Sequence, residues 1–163
     1  MKKSLLLGMN NPLSDDPEFD LYPYPEGSAG WCLWKMLPEG TTRRQYLDMF
    51  DRRNLLRARE WDPRAARAAA QELLPELGGR AVIVLGTQVR AALGLPKAEP
   101  LAWRMVSGPP VDGRVSFLFS YAALPHPSGR NMWYNAPTNR EAVGKFLVEA
   151  AGMSFSMPRG EVG

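Results

Sequence analysis

Apolar residues follow two periods along this chain. Ala81-Val82-Ile83-Val84-Leu85 is an unbroken apolar run without alternation, the pattern of a strand buried on both faces of a parallel sheet. Ser4 to Leu7, ending at Gly8, reads as a short strand. Val115 to Ser120 reads as a strong one centred on Phe117-Leu118-Phe119, Asn54-Leu55-Leu56 as a short one, and Leu101 to Val106 as a weaker strand or loop. Helical spacing separates these runs. Ala66, Ala69, Ala70, Leu73 and Leu77 share one face, with Arg64, Arg67 and Gln71 opposite; Asp62 stands at the N-cap and Pro63 at the first helical position. Gly78-Gly79 ends that helix. Further helices are predicted from Ala29 to Leu37, stopped by Pro38, from a Thr41 or Thr42 cap to about Asp51, and from Gly86-Thr87 to Gly94, with Pro96 preventing continuation. Thr138-Asn139-Arg140-Glu141 has the form of a capping box opening a last helix, with Val143, Phe146, Leu147 and Ala150 inward.

Strands alternating with helices define an α/β chain with a mostly parallel sheet. The 163 residues suit one domain, expected over residues 1–152 with a loosely held tail at 153–163, and contain no repeat and no long linker. No apolar run reaches the about 18 residues of a membrane span, and the apolar stretch at Leu5-Leu6-Leu7 is too short for a signal peptide. One cysteine, Cys32, and one histidine, His126, cannot assemble a structural zinc or iron–sulfur site within one chain, nor a disulfide. A lone cysteine fits a reducing compartment, so the expected location is cytoplasmic, and the small size suggests a monomer.

Charge is more informative when located than when summed. The net charge is +3, but between Arg43 and Arg67 eight arginines face only four acids, while Asp15, Asp16, Glu18 and Asp20 concentrate acid just after the first strand. An arginine surplus of this kind is either a solvated helix surface or a phosphate-facing patch, and the planar guanidinium suits phosphate oxygens.

Ligands of open α/β sheets bind beyond the carboxyl ends of the strands. Two polar, conformationally special segments stand there: Gly8-Met9-Asn10-Asn11-Pro12 after the first strand, and Pro125-His126-Pro127-Ser128-Gly129-Arg130-Asn131 after the last strong one. Together they resemble the two signature motifs of the uracil-DNA glycosylase superfamily, nearest the single-strand-selective monofunctional branch, whose motifs read GMNPG and HPSPRN. Gly27-Ser28-Ala29-Gly30 before a helix, Asn54-Leu55-Leu56, and Val82-Ile83-Val84-Leu85-Gly86 resemble the iron–sulfur branch, without its four cluster cysteines. The similarity runs from Leu5 to about Ala150. Asn11 departs from it, standing where the family carries proline, with Pro12 one residue later.

The resemblance implies a three-layer α/β/α sandwich around a sheet of about four strands, and a cofactor-free, metal-free hydrolase that removes a flipped uracil from single- or double-stranded DNA and leaves an abasic site. Asn10 would orient the attacking water through its amide carbonyl, and His126 would donate a hydrogen bond to the base oxygen that becomes anionic. Gly8 and Met9 would shape the base pocket, Tyr22 or Tyr24 would supply an aromatic wall, and Asn54 would read the pyrimidine edge with one donor and one acceptor. Ser128, Gly129, Arg130 and Asn131 would face the DNA, with Arg130 filling the gap left by the flipped base. Three other readings stay open: the same scaffold acting on a modified pyrimidine, a non-catalytic protein that binds uracil or abasic DNA, and an α/β nucleotide-binding domain matching by chance.

Overall fold

The computed structural model describes residues 2–128 and 130–153, so Gly129 and almost all of the expected tail lie outside the described residues. At its centre lies β3 (Ala81–Leu85), buried at every position as its unbroken apolar run requires. β1 (Leu5–Gly8) pairs with it on one side and β7 (Leu118–Leu124) on the other, both parallel. β2 (Asp51–Asn54) adds to β1 in parallel, and β4 (Arg104–Ser107) closes the far edge antiparallel to β7. The sheet has five strands where about four were expected, because Arg104–Ser107, in the segment read as a weaker strand or loop, pairs at its edge; the order is β2-β1-β3-β7-β4, four parallel and one antiparallel.

The pleat sorts the side chains into two cores. Leu5, Leu7, Val82, Val84, Phe119 and Tyr121 pack with Ala66, Ala70 and Leu73 of α3 (Pro63–Leu73) and Val89 and Ala92 of α4 (Thr87–Ala92). Leu6, Ile83, Leu85, Ala122 and Leu124 pack with Leu33 of α1 (Ala29–Met36), Tyr46 of α2 (Arg43–Met49), and Val143, Phe146, Leu147 and Ala150 of α5 (Pro137–Ala151). Helices thus cover both faces of the sheet.

Several expected boundaries move. β2 occupies Asp51–Asn54, three residues before the predicted apolar start, because an edge strand needs backbone pairing rather than apolar side chains; Leu55 and Leu56 follow it into the core, their N–H groups donating to the carbonyls of Gly8 and Met9 at 2.9 and 3.0 Å. β7 lies three residues later than predicted. Arg114–Val115 (β6) instead pairs with Pro110–Val111 (β5), in the same register as Ser107 with Leu118, so β4 to β7 form one antiparallel ribbon. Asp112 and Gly113 turn its tip with φ of +51° and +77°, the two left-handed positions of a type I′ turn. The Thr138 capping box is not made. Pro137, with its fixed φ, starts α5 and Ala136 is the N-cap residue, with no side-chain cap. The box that does form joins Thr42 and Gln45 at the start of α2, and Asp62 and Pro63 open α3 as predicted.

Candidate functional site

The crossover from β1 leads through two helices to β2 on one edge, whereas the chain from β3 leads to the other edge. Adjacent strands whose connections part in this way leave a crevice at their carboxyl ends. A cavity of about 630 Å³ opens there, within the ordinary size of a small-molecule site. It is lined by Met9 and Asn10 after β1, Asn54 at the end of β2, His126 after β7, Tyr22 and Tyr24 from the long loop, and Ala29 and Gly30 at the start of α1. Six residues singled out from sequence therefore meet in one place. No Asp, Glu, Lys or Arg lines the cavity among the described residues.

The asparagine side chains of the site are held by identifiable partners. Asn10 Nδ2 donates to the Ala58 carbonyl at 3.1 Å; a carbonyl can only accept, so the amide nitrogen faces Ala58 and the oxygen is left without that partner. Asn11, in the position of the family's proline, donates to the Phe19 carbonyl at 3.2 Å and accepts from Leu13 N–H at 2.9 Å, an Asx turn that ties the loop back on itself. Gly8 does not line the cavity but makes room for it, since a Cβ there would lie 2.5 Å from Asn54 Oδ1. Gly30 does the same for α1, where a Cβ would fall 2.2 and 2.3 Å from the carbonyl oxygens of Leu21 and Tyr22.

His126 sits against Gly86, whose φ of +94° and missing side chain admit the imidazole; a Cβ at Gly86 would stand 3.2 Å from His126 Cβ. Partial burial pushes the His126 pKa below its ordinary value, because desolvation disfavours the imidazolium. Among the described residues neither ring nitrogen has a hydrogen-bond partner, and the backbone carbonyl accepts from Asn131 Nδ2 at 3.2 Å. On the far side of His126 a second cavity of about 330 Å³ carries the cations Arg90 and Lys97.

The expected DNA-facing residues divide. Ser128 lines a small cleft with Trp31, Lys35 and Arg140. Arg130 is exposed, and its backbone N–H donates to Ser128 Oγ. Asn131 also shapes the loop: its nitrogen donates to the His126 carbonyl at 3.2 Å, and its oxygen accepts from Trp133 N–H at 3.1 Å, capping a short 3₁₀ turn. Gly129 lies outside the described residues. Tyr134 is buried and donates to the Pro125 carbonyl at 2.6 Å, which anchors the loop in front of His126.

Sequence reading missed the buried carboxylate behind Asn54. Asp20, 1% exposed, accepts from Asn54 N–H at 2.9 Å, from Asn54 Nδ2 at 3.3 Å and from the Arg57 guanidinium. Arg52 donates to the Asp20 carbonyl at 2.6 Å and Arg43 to the Pro23 carbonyl at 3.1 Å, while the fully buried Tyr46 holds the Leu21 carbonyl at 2.7 Å. Three of the eight clustered arginines thus fasten the loop that carries Tyr22 and Tyr24. The signal that could have found this was the acidic run after β1 facing an arginine surplus.

No protein-family model, no curated protein and no solved structure matches the chain. The functional reading rests on the site itself. Among the described residues no helix is long and apolar enough to cross a membrane, and no three His, Cys, Asp or Glu side chains cluster as metal ligands.

Proposed function

We propose that this chain is a monofunctional DNA glycosylase of the uracil-DNA glycosylase kind, hydrolysing the bond between a flipped uracil and its deoxyribose. The observation that carries the reading is the convergence of Asn10, Asn54 and His126, from three separate strand ends, on one uncharged, aromatic-walled cavity. An uncharged lining suits a neutral planar base, and the exposed Lys97 of the adjoining cavity suits a phosphate beside it.

In this reading the glycosidic bond breaks toward an oxocarbenium-like sugar while negative charge collects on the departing base. Asn10 Oδ1, turned away from Ala58, holds the water whose oxygen joins the sugar carbon. An amide does not take up the water's proton, which passes through solvent to the departing base anion and leaves it as neutral uracil, so the contribution of Asn10 is positional. His126 donates from a neutral ring to the base oxygen, and its lowered pKa favours that neutral form. The same scaffold acting on a pyrimidine substituted at C5 is the alternative that the assay separates.

The test is alkali-revealed cleavage of labelled oligonucleotides carrying one uracil or one 5-hydroxymethyluracil, single-stranded and opposite A or G. Asn10→Ala and His126→Ala are run beside the wild type, with circular dichroism to establish folding. Base release by wild type, reduced about 100- to 1000-fold by His126→Ala, is expected from the loss of one oxyanion donor. Binding without release turns the reading into that of a recognition protein, and neither binding nor release refutes it.

A further inference from the structure

We propose that Asp20 is a positioning residue that locks the Asn54 amide with its oxygen toward the cavity, so that the pocket accepts a base edge offering an N–H and refuses one offering a lone pair. The inference rests on the glycosylase reading for its ligand, and on geometry alone for the lock.

A carboxylate accepts hydrogen bonds and an Asn amide has one end that accepts and one that donates. Asp20 Oδ1 faces the side-chain amide of Asn54 at 3.3 Å, so the end turned toward Asp20 is the nitrogen. The same carboxylate receives the Asn54 backbone N–H at 2.9 Å and the Arg57 guanidinium, which hold it in place, and Arg57 also reaches the Asn54 carbonyl at 3.4 Å. The opposite end of the amide, Oδ1, therefore lies over Gly8, where no side chain could fit. Asn54 is 3% exposed and Asp20 1%, so water cannot substitute freely for either partner. A 180° turn of the amide would bring its oxygen against the carboxylate, lone pair to lone pair, in a buried site. Asn54 lines the cavity and Asp20 does not, so the end of the amide left for a ligand is the oxygen, an acceptor of fixed position. Uracil offers an N–H at N3 beside the O4 carbonyl, and cytosine offers a bare nitrogen there. On this account uracil-over-cytosine selection depends on a side chain that never touches the base.

The isosteric Asp20→Asn variant tests this. Its oxygen stays where Asn54 N–H and Arg57 both donate, which places its NH₂ against Asn54 Nδ2 and turns the Asn54 amide over. Wild type and variant are compared for binding to oligonucleotides carrying 2′-fluoro-deoxyuridine, 2′-fluoro-deoxycytidine or a tetrahydrofuran abasic analogue. The preference for the uridine probe is expected to fall by roughly 100-fold in Asp20→Asn, with abasic-analogue binding unchanged. Nuclear Overhauser contacts of the Asn54 side-chain NH₂ read the lock directly: to Asp20 Hβ in wild type, and to Gly8 Hα in the variant. Arg57→Gln, which leaves Asp20 against Asn54, keeps the uridine preference. An unchanged preference in Asp20→Asn, or an equal loss for all three probes, overturns the proposal. So do wild-type Asn54 NH₂ contacts to Gly8, a result that needs no variant to fold. A wild type that binds none of the probes would overturn the glycosylase reading instead, and the NH₂ contacts would still decide the lock.

Discussion

At the scale of single residues, this site works by fixing the direction of small polar groups. Asn10 is turned by a carbonyl and Asn54 by a carboxylate, while His126 is admitted by a glycine. His126 is the only histidine, so one imidazole resonance reports its titration. Burial lowers its folded pKa below about 6.5, and between the two values the unfolded chain binds more protons. Its contribution to stability is therefore complete above about pH 6.5 and is lost as pH falls through the folded pKa. An NMR titration should give a midpoint below 6.5, and denaturant melts between pH 7 and 5 should show a shallower loss in His126→Gln than in wild type. Gly8→Ala places a methyl 2.5 Å from Asn54 Oδ1 and should reduce uracil release in the cleavage assay more than it reduces stability. The motif residues were readable because their types and order are unusual. Asp20 was not, because its partner Arg57 lies 37 positions away and a carboxylate in an acidic run looks like any solvated one.

At the scale of elements, α1 transmits packing to the site. Its first turn lines the cavity, its Gly30 lies against the Leu21 and Tyr22 carbonyls, and its last turn meets α5, where a Cβ at Gly144 would fall 2.2 Å from the Met36 carbonyl oxygen. Gly144→Ala must spread α1 from α5, at a cost of about 1–3 kcal/mol in denaturant unfolding, the usual penalty for overpacking. Uracil release should fall with it, although residue 144 does not line the cavity. Apolar runs identified which segments enter the cores but not where strands pair. The polar Asp51–Asn54 strand is invisible to a hydrophobic pattern because it lies at an edge. The Val115 to Phe117 stretch misleads because a ribbon outside the sheet also uses β-branched and aromatic residues.

At the scale of the whole molecule, net charge overstates what is free to meet a polyanion. Arg43 and Arg52 donate to backbone carbonyls, Arg57 pairs with Asp20, and Arg80 pairs with Asp51 at 2.6 Å. Arg59 is exposed one residue beyond Ala58, whose carbonyl holds Asn10, and among the described residues its guanidinium makes no ion pair. Arg59→Ala should reduce the slope of log affinity against log salt by about 0.7–0.9, the release expected for one phosphate contact, as read by fluorescence anisotropy across a salt series. The α/β class with its mostly parallel sheet was evident from alternation alone.

The β4–β7 ribbon has a practical consequence. It leaves the sheet from the amino-terminal end of β7, whereas every cavity-lining loop leaves from the carboxyl ends of the strands. Asp112-Gly113 at its tip is exposed and joined only by its own turn, so a dye, an affinity tag or an inserted peptide at that point would stand at the opposite pole from the cavity. The molecule can therefore be tethered to a surface by its tip with the cavity facing solution.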